Sequence, residues 1–286
     1  MKGIKVICFI FIALLVLSGC QTNQKTSDHK AYHRIISLMP SNTEILYELG
    51  LEKSIIGVST VDDYPKGVKD KQQFDAFNLD YESLLKAKPD LIVAHESNKS
   101  TQEKVLNKLS KSGVKVVYVK DAHSIKEMYQ SFEQIGKVTG KEQESKDLVN
   151  RVKGEITEVV KDIPKKQQGK KVFMEISAQP DIYTAGSDTF YDDMLREIKA
   201  KNIFHDEKGW IKTDKEIIVK RNPDVMIDTS GQTESTYQSL NKKRDGFDQI
   251  QAVKDNHIHA IDANKISRPG PRIAEGLNEL ADKVYD

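Results

Sequence analysis

Two glutamates occupy the same place in a unit that the chain writes twice. Glu82 opens ESLLKAKPDLI (Glu82–Ile92), and Glu216 opens EIIVKRNPDVMI (Glu216–Ile227), 134 positions further on. In each copy the acid begins a helix of about two turns, where the positive end of the helix dipole favours a carboxylate. Proline then ends the helix, because it lacks an N–H and biases the residue before it away from helix. The apolar run that follows suits a buried parallel strand. The chemistry on offer is charge recognition, one glutamate on each of two similarly built lobes.

Catalytic and metal chemistry find less support. The chain carries no G-x-S-x-G, no G-x-G-x-x-G and no P-loop. Ser37, Asp62 and His123 supply the residue types of a hydrolytic triad, but their spacing does not ask for one. H-E-x-x-H is absent. The pair His29 and His33 runs from a polar tether into a strand, so no helix puts both rings on one face. His257 and His259 share a strand face without a third ligand nearby in sequence. The expectation is a binding protein with no catalytic residue, no metal site and no cofactor. The 44 basic and 43 acidic residues give a net charge of +1, and without the first 20 residues the balance is 42 against 43. No cationic excess is available for a polyphosphate, which excludes nucleic acid as a partner.

Stepping outward from these residues, the N-terminus carries Lys2 and Lys5, the apolar run Val6–Leu17 and then Leu17-Ser18-Gly19-Cys20. Twelve apolar residues are too few to cross a bilayer, and the pattern reads as a secretory signal over residues 1–20. LSGC resembles the lipobox of bacterial lipoproteins, which implies a lipid on Cys20 and a membrane-anchored, extracytoplasmic chain. Cys8 leaves with the signal, so the mature chain holds no disulfide pair. Residues 21–32 are polar and aperiodic, and read as a flexible tether.

The rest of the chain alternates short β-type runs with helical patterns on short connections, which predicts parallel α/β architecture. Strands are expected at Arg34–Leu38, Ile55–Ser59, Leu91–Ala94, Val114–Val119, Lys171–Ile176, Val225–Asp228 and near His257–Ile261. Asn42 or Ser41 is expected to cap the first helix, with Gly50 as its stop. Phe74–Asp80 and Ser177–Gly186 read as loops, and His95–Asn98 as a turn. Between Ser124 and Ile163 apolar residues fall at helical spacing. Gly136 and Gly140 are expected to separate two helices there, the second from about Glu142 to Lys161 and close to 30 Å long at roughly 1.5 Å per residue.

Taken together, SLMPSNTEILYELGL (Ser37–Leu51), GVSTVDDYP (Gly57–Pro65), the doubled E-x6-P-D unit and RPGPR (Arg268–Arg272) resemble the substrate-binding lipoproteins of ABC importers for cobalamin and iron-siderophores, most closely the cobalamin-binding members. The resemblance covers residues 33 to 286. It implies an α/β fold of two lobes joined by a single long rigid helix, with the ligand cleft between them. The divisions are then residues 33–141 for the N-terminal lobe, 142–163 for the linking helix and 164–286 for the C-terminal lobe. It further implies a monomer that captures cobalamin or a related corrinoid, with a ferric siderophore or haem as the alternative. The loaded protein would dock on an ABC permease dimer with its ATPase through Glu82 and Glu216. A two-lobed surface sensor or adhesin is a further reading of the same body.

Arg268 matches an arginine that lines the ligand cleft in the cobalamin members, and a structural salt bridge is its other reading. Phe77 lies near a cleft tryptophan of that family, where a flat ring could stack on a macrocycle; Phe74 and core packing are the alternatives. Tyr64, Tyr183 and Trp210 are further aromatics in loops expected to reach the cleft. Val61 replaces an expected tyrosine, and Asn264 an expected aspartate, so two polar contacts to the ligand differ. For a haem ligand, His95 is the axial candidate, with a cleft-rim or capping role as its alternative.

Overall fold

The computed structural model describes residues 31–177 and 180–286. Cys20, the expected signal segment and most of the tether lie outside the described residues. The N-terminal lobe runs β1 (Ile35–Ser37), α1 (Pro40–Glu48), β2 (Ile55–Ser59), β3 (Gln72–Phe74), α2 (Tyr81–Ala87), β4 (Leu91–His95), α3 (Glu96–Lys111) and β5 (Lys115–Val119). Its strands form one parallel sheet in the order β3-β2-β1-β4-β5. Helices α4 (Ile125–Thr139) and α5 (Glu142–Asp162) follow.

The C-terminal lobe runs β6 (Lys171–Glu175), β7 (Ile182–Ala185), α6 (Phe190–Glu197), β8 (Lys201–Asn202), β9 (Trp210–Thr213), α7 (Lys215–Arg221), β10 (Val225–Asp228), α8 (Glu234–Lys243), α9 (Gln251–Lys254), β11 (Ile258–Ala260), α10 (Ala263–Ile266) and α11 (Ile273–Tyr285). Its sheet has the order β11-β10-β6-β7-β9, with β8 beside β6. Strands β6, β10 and β11 are parallel, whereas β7 and β9 pair antiparallel.

Both sheets are covered on both faces, as parallel sheets require. One apolar cluster continues from the N-terminal lobe into the C-terminal lobe, through Met128, Phe132 and Ile135 of α4, Leu148, Val152 and Ile156 of α5, and Leu277 and Leu280 of α11. Separate clusters cover the opposite faces, around Leu84, Leu106 and Leu109 in one lobe and Phe173, Phe204 and Tyr237 in the other. Helix α5 thus packs along a core that both lobes share.

The duplicated unit repeats down to single hydrogen bonds. Asp80 and Asp214 cap α2 and α7, accepting from the N–H of Ser83 and Ile217 at 2.8 Å each. Lys88 and Asn222 end those helices in the left-handed region, with φ of 49° and 46°. The aspartate of each Pro-Asp then accepts backbone N–H groups at the start of its lobe's first strand: Asp90 from His33 and Arg34, and Asp224 from Lys171. A cation returns the favour, Arg34 donating to the carbonyls of Ala87 and Lys88, and Lys171 to that of Asn222.

Several local expectations are corrected. Helix α1 starts at Pro40, whose fixed φ suits the first helical position, with Met39 before it and no side-chain cap. Asn42 instead donates to the carbonyl of Ala94, tying α1 to β4. Residues 95–98 are not a free turn. Asn98 accepts from the His95 N–H at 2.9 Å and His95 Nδ1 accepts from that of Ser97, so α3 begins at Glu96. Phe74 ends a strand and is buried. Gly136 lies inside α4 rather than between helices, pressed against Ser145 of α5, while Gly140 ends the helix at φ 69°. Tyr183 and Trp210 sit on strands rather than loops, because β7 finds its partner β9 more than twenty residues later.

Candidate functional site

A cavity of about 380 Å³ lies between the lobes, within the usual range for ligand pockets. Its N-terminal wall is Met39–Asn42 after β1, His95 at the end of β4, and Val119–Ala122 at and beyond the end of β5; its C-terminal wall is Ser267–Pro269. In the N-terminal sheet the chain leaves β1 toward β2 on one side and β4 on the other. The loops beyond those strand ends diverge and leave a crevice, which is where open α/β sheets hold ligands.

Arg268 stands on this wall. Its guanidinium donates to Asp63 Oδ1 at 2.5 Å, to Asn264 Oδ1 at 2.8 Å and to the Val61 carbonyl at 3.5 Å, with Glu44 Oε1 at 3.8 Å. Arg272, four residues on, grips Glu44 with two hydrogen bonds of 2.6 and 2.9 Å. Both arginines come from the C-terminal lobe and both acids from the N-terminal lobe, so the pairs tie the lobes together at the cleft. Burial pushes the Glu44 carboxyl above its ordinary value despite the two arginines. Asp63 behaves oppositely: the Arg268 hydrogen bond holds it below the usual carboxylate value.

The aromatics fall into two groups. Tyr64 lies under the Arg272 guanidinium at 3.9 Å, so it belongs to the interlobe tie while keeping an exposed edge. Trp210 packs edge-on against Tyr191 at 5.9 Å, and the Tyr191 hydroxyl meets Ser267 Oγ at 2.6 Å. That chain of contacts leads from Trp210 to the residue next to Arg268. Tyr183 shares the sheet face of Trp210, since Tyr183 opposes Lys212 and Ala185 opposes Trp210. Phe77 is 75% exposed, on the loop after β3. The structure thus bonds Arg268 directly to Asn264, links Trp210 through Tyr191 only as far as Ser267, sets Tyr64 against Arg272, and gives Phe77 and Tyr183 no hydrogen bond or ring contact with Arg268 among the described residues.

Sequence reasoning missed Asp63 and Glu44. The Asp62-Asp63 pair in GVSTVDDYP was visible, but nothing local says which carboxylate points outward. Asp62 turns in, accepting from Ser59 Oγ at 2.5 Å and Ser59 N–H at 2.9 Å, and burial raises its pKa. Ser37 bonds Thr43 at 2.8 Å in the same buried cluster. His123 lies elsewhere, its Nδ1 2.9 Å from the Asp188 carbonyl across the lobes, so the three form no triad. His95 caps α3 with Nδ1 and has Asp121 at 3.7 Å from Nε2; burial lowers its pKa. Among the described residues no cluster of three His, Cys, Asp or Glu could hold a metal ion.

Glu82 and Glu216 are exposed and make no ion pair among the described residues. Beside Glu216 lies a hollow of about 520 Å³ with charged walls, where Lys212 pairs with Asp181 and Lys215 with Asp245. It is on the outer surface and separate from the interlobe cavity. The exposed aliphatics Leu85 and Ile217 lie on the same two helices as the glutamates.

Comparison with known proteins adds an independent line. The sequence pattern of the periplasmic binding protein family matches residues 35–265. The ABC transporter substrate-binding lipoprotein YvrC of Bacillus subtilis is 41% identical, over 92% of this chain and 83% of its own. A vitamin B12-binding protein of Yersinia pestis is 24% identical, over 89% of this chain and 87% of its own. Among solved structures, a "possible" iron-binding (periplasmic solute-binding) protein of Staphylococcus epidermidis is 56% identical with a TM-score of 0.86, covering 90% of this chain and 100% of that one.

Proposed function

The chain belongs to the periplasmic binding protein family, and on that premise we propose that it captures a bulky metal chelate, a corrinoid such as cobalamin, in the interlobe cleft and delivers it to an ABC permease. It is the substrate-binding protein of an ABC importer. The observation that carries the ligand reading is the set of exposed rings, Tyr64, Phe77, Tyr183 and Trp210, outside a cavity whose wall arginine, Arg268, is already paired. Flat rings of this kind suit a wide, mostly apolar macrocycle. Arg268, held by Asp63 and Asn264, is the polar feature that the cavity wall turns toward the ligand. A ferric siderophore is the second reading, favoured by the 56% identical relative described as a "possible" iron-binding protein. Glu82 and Glu216 present the loaded protein to the permease, and an acyl chain on Cys20 holds it at the extracytoplasmic face. Titration of the protein with cobalamin, ferric siderophores and haem, followed by visible absorption, tests the reading. Saturable binding of a corrinoid or ferric siderophore at micromolar concentration supports it; binding of none of them overturns it.

A further inference from the structure

The two arginines at the cleft are paired alike but placed differently. Glu44, the partner of Arg272, has a side chain 2% exposed, and its ion pair is beyond the reach of a ligand. Asp63, the partner of Arg268, is 39% exposed, and Arg268 itself lines the cavity. Both pairs hold the lobes, and only Arg268–Asp63 also faces the cavity.

Three of the five Arg268 donors are engaged, by Asp63, Asn264 and the Val61 carbonyl, and the Asp63 carboxylate balances the guanidinium charge. A ligand anion reaching this guanidinium meets a charge that Asp63 already balances, and it competes with that carboxylate, so it gains less there than at a free arginine. The other cation on the cavity lining, Lys120, is at the exposed rim and is followed by Asp121. The wall is therefore close to charge-balanced, and it offers a highly anionic chelate no net attraction.

We propose that Asp63 sets the charge class of the cargo: by occupying Arg268 it makes the cleft select chelates whose Arg268-facing side carries no net negative charge. This rests on the reading of the cleft as a metal-chelate site. Asp63 reads charge without touching the metal. Asn264 takes part in the same selection, because an aspartate there would place a second carboxylate on the guanidinium.

The test uses the mature protein with three probes: cyanocobalamin, a neutral ferric trihydroxamate and a trianionic ferric tris-catecholate. The wild type binds a neutral probe at least about tenfold more tightly than the trianionic one. Asp63→Asn, near-isosteric and uncharged, raises affinity for the trianionic probe by about tenfold, the order of one charged hydrogen bond released. It changes the neutral probes by less than about threefold. Asn264→Asp moves the ratio the opposite way, which keeps the idea testable if Asp63→Asn does not fold. A ratio unmoved by either variant, or a wild type that prefers the trianionic probe, overturns the role of Asp63 alone. A wild type that binds none of the three sinks the chelate reading and this proposal with it.

Discussion

At the residue scale, the cleft shows how environment gives identical side chains different tasks. Asp62 and Asp63 are neighbours, yet one is buried on Ser59 and pushed up, while the other is held down by Arg268. His123 adds a polar tie between the lobes. Its hydrogen bond to the Asp188 carbonyl raises its pKa above 6.5, helped by Asp121, Asp188 and Glu127, against a smaller desolvation effect. A raised histidine stabilises the folded state below its ordinary value, and that stabilisation is lost as pH rises through the folded pKa. His95 has the opposite sign, because burial lowers it. The difference between wild type and His123→Gln therefore isolates the tie: urea midpoints should separate most below pH 6.5 and converge on the alkaline side. Equal separation at all pH values would show that the imidazole charge plays no part.

At the element scale, the crossing of α4 and α5 depends on one missing methyl group. Gly136 sits mid-helix, where alanine is intrinsically better by about 1 kcal/mol. A Cβ there would run into Ser145 and come within 2.9 Å of the Lys141 carbonyl. Overpacking of this kind costs about 1–3 kcal/mol. Gly136→Ala should thus destabilise the protein by about 1 kcal/mol net in thermal or urea unfolding, opposite in sign to helix propensity. An increase in stability would mean the two helices separate easily. The sequence announced Gly136 as a breaker because a glycine in a helical pattern has that local meaning; contact with the next helix is not a local property. The strands β7 and β9 escaped for the same reason, since antiparallel partners far apart in sequence leave no periodic trace in either alone.

At the scale of the whole molecule, the lobes share an apolar core along α4, α5 and α11 and are tied by Arg268–Asp63, Arg272–Glu44, His123–Asp188 and the Ile125 N–H to Asp193. Large lobe closure would have to break these together, so ligand binding should alter the radius of gyration in solution scattering very little. Helices α2 and α7, by contrast, project Glu82 and Glu216, which make no ion pair among the described residues. Replacing both Glu82 and Glu216 with Ala should leave stability within about 0.5 kcal/mol, as for exposed sites, and ligand affinity unchanged. Uptake in cells should fall steeply, since paired charges orient a transient partner. Undiminished uptake by the double variant would remove them from docking.

Much of this protein was legible before any coordinates. The doubled E-x6-P-D unit, the strand runs from Ile55 and Leu91, and the long helical pattern after Glu142 are local signals, because turn chemistry, capping and periodicity act within a few residues. The loop that places Arg268 on the interlobe cavity was legible through its proline and glycine pattern. What the sequence could not state was that Asp63 and Glu44 complete the site from the other lobe, 205 and 228 positions away from their arginines. An ion pair across a cleft depends only on distance in space, and chain order carries no record of that distance until the shared core has brought the two lobes together.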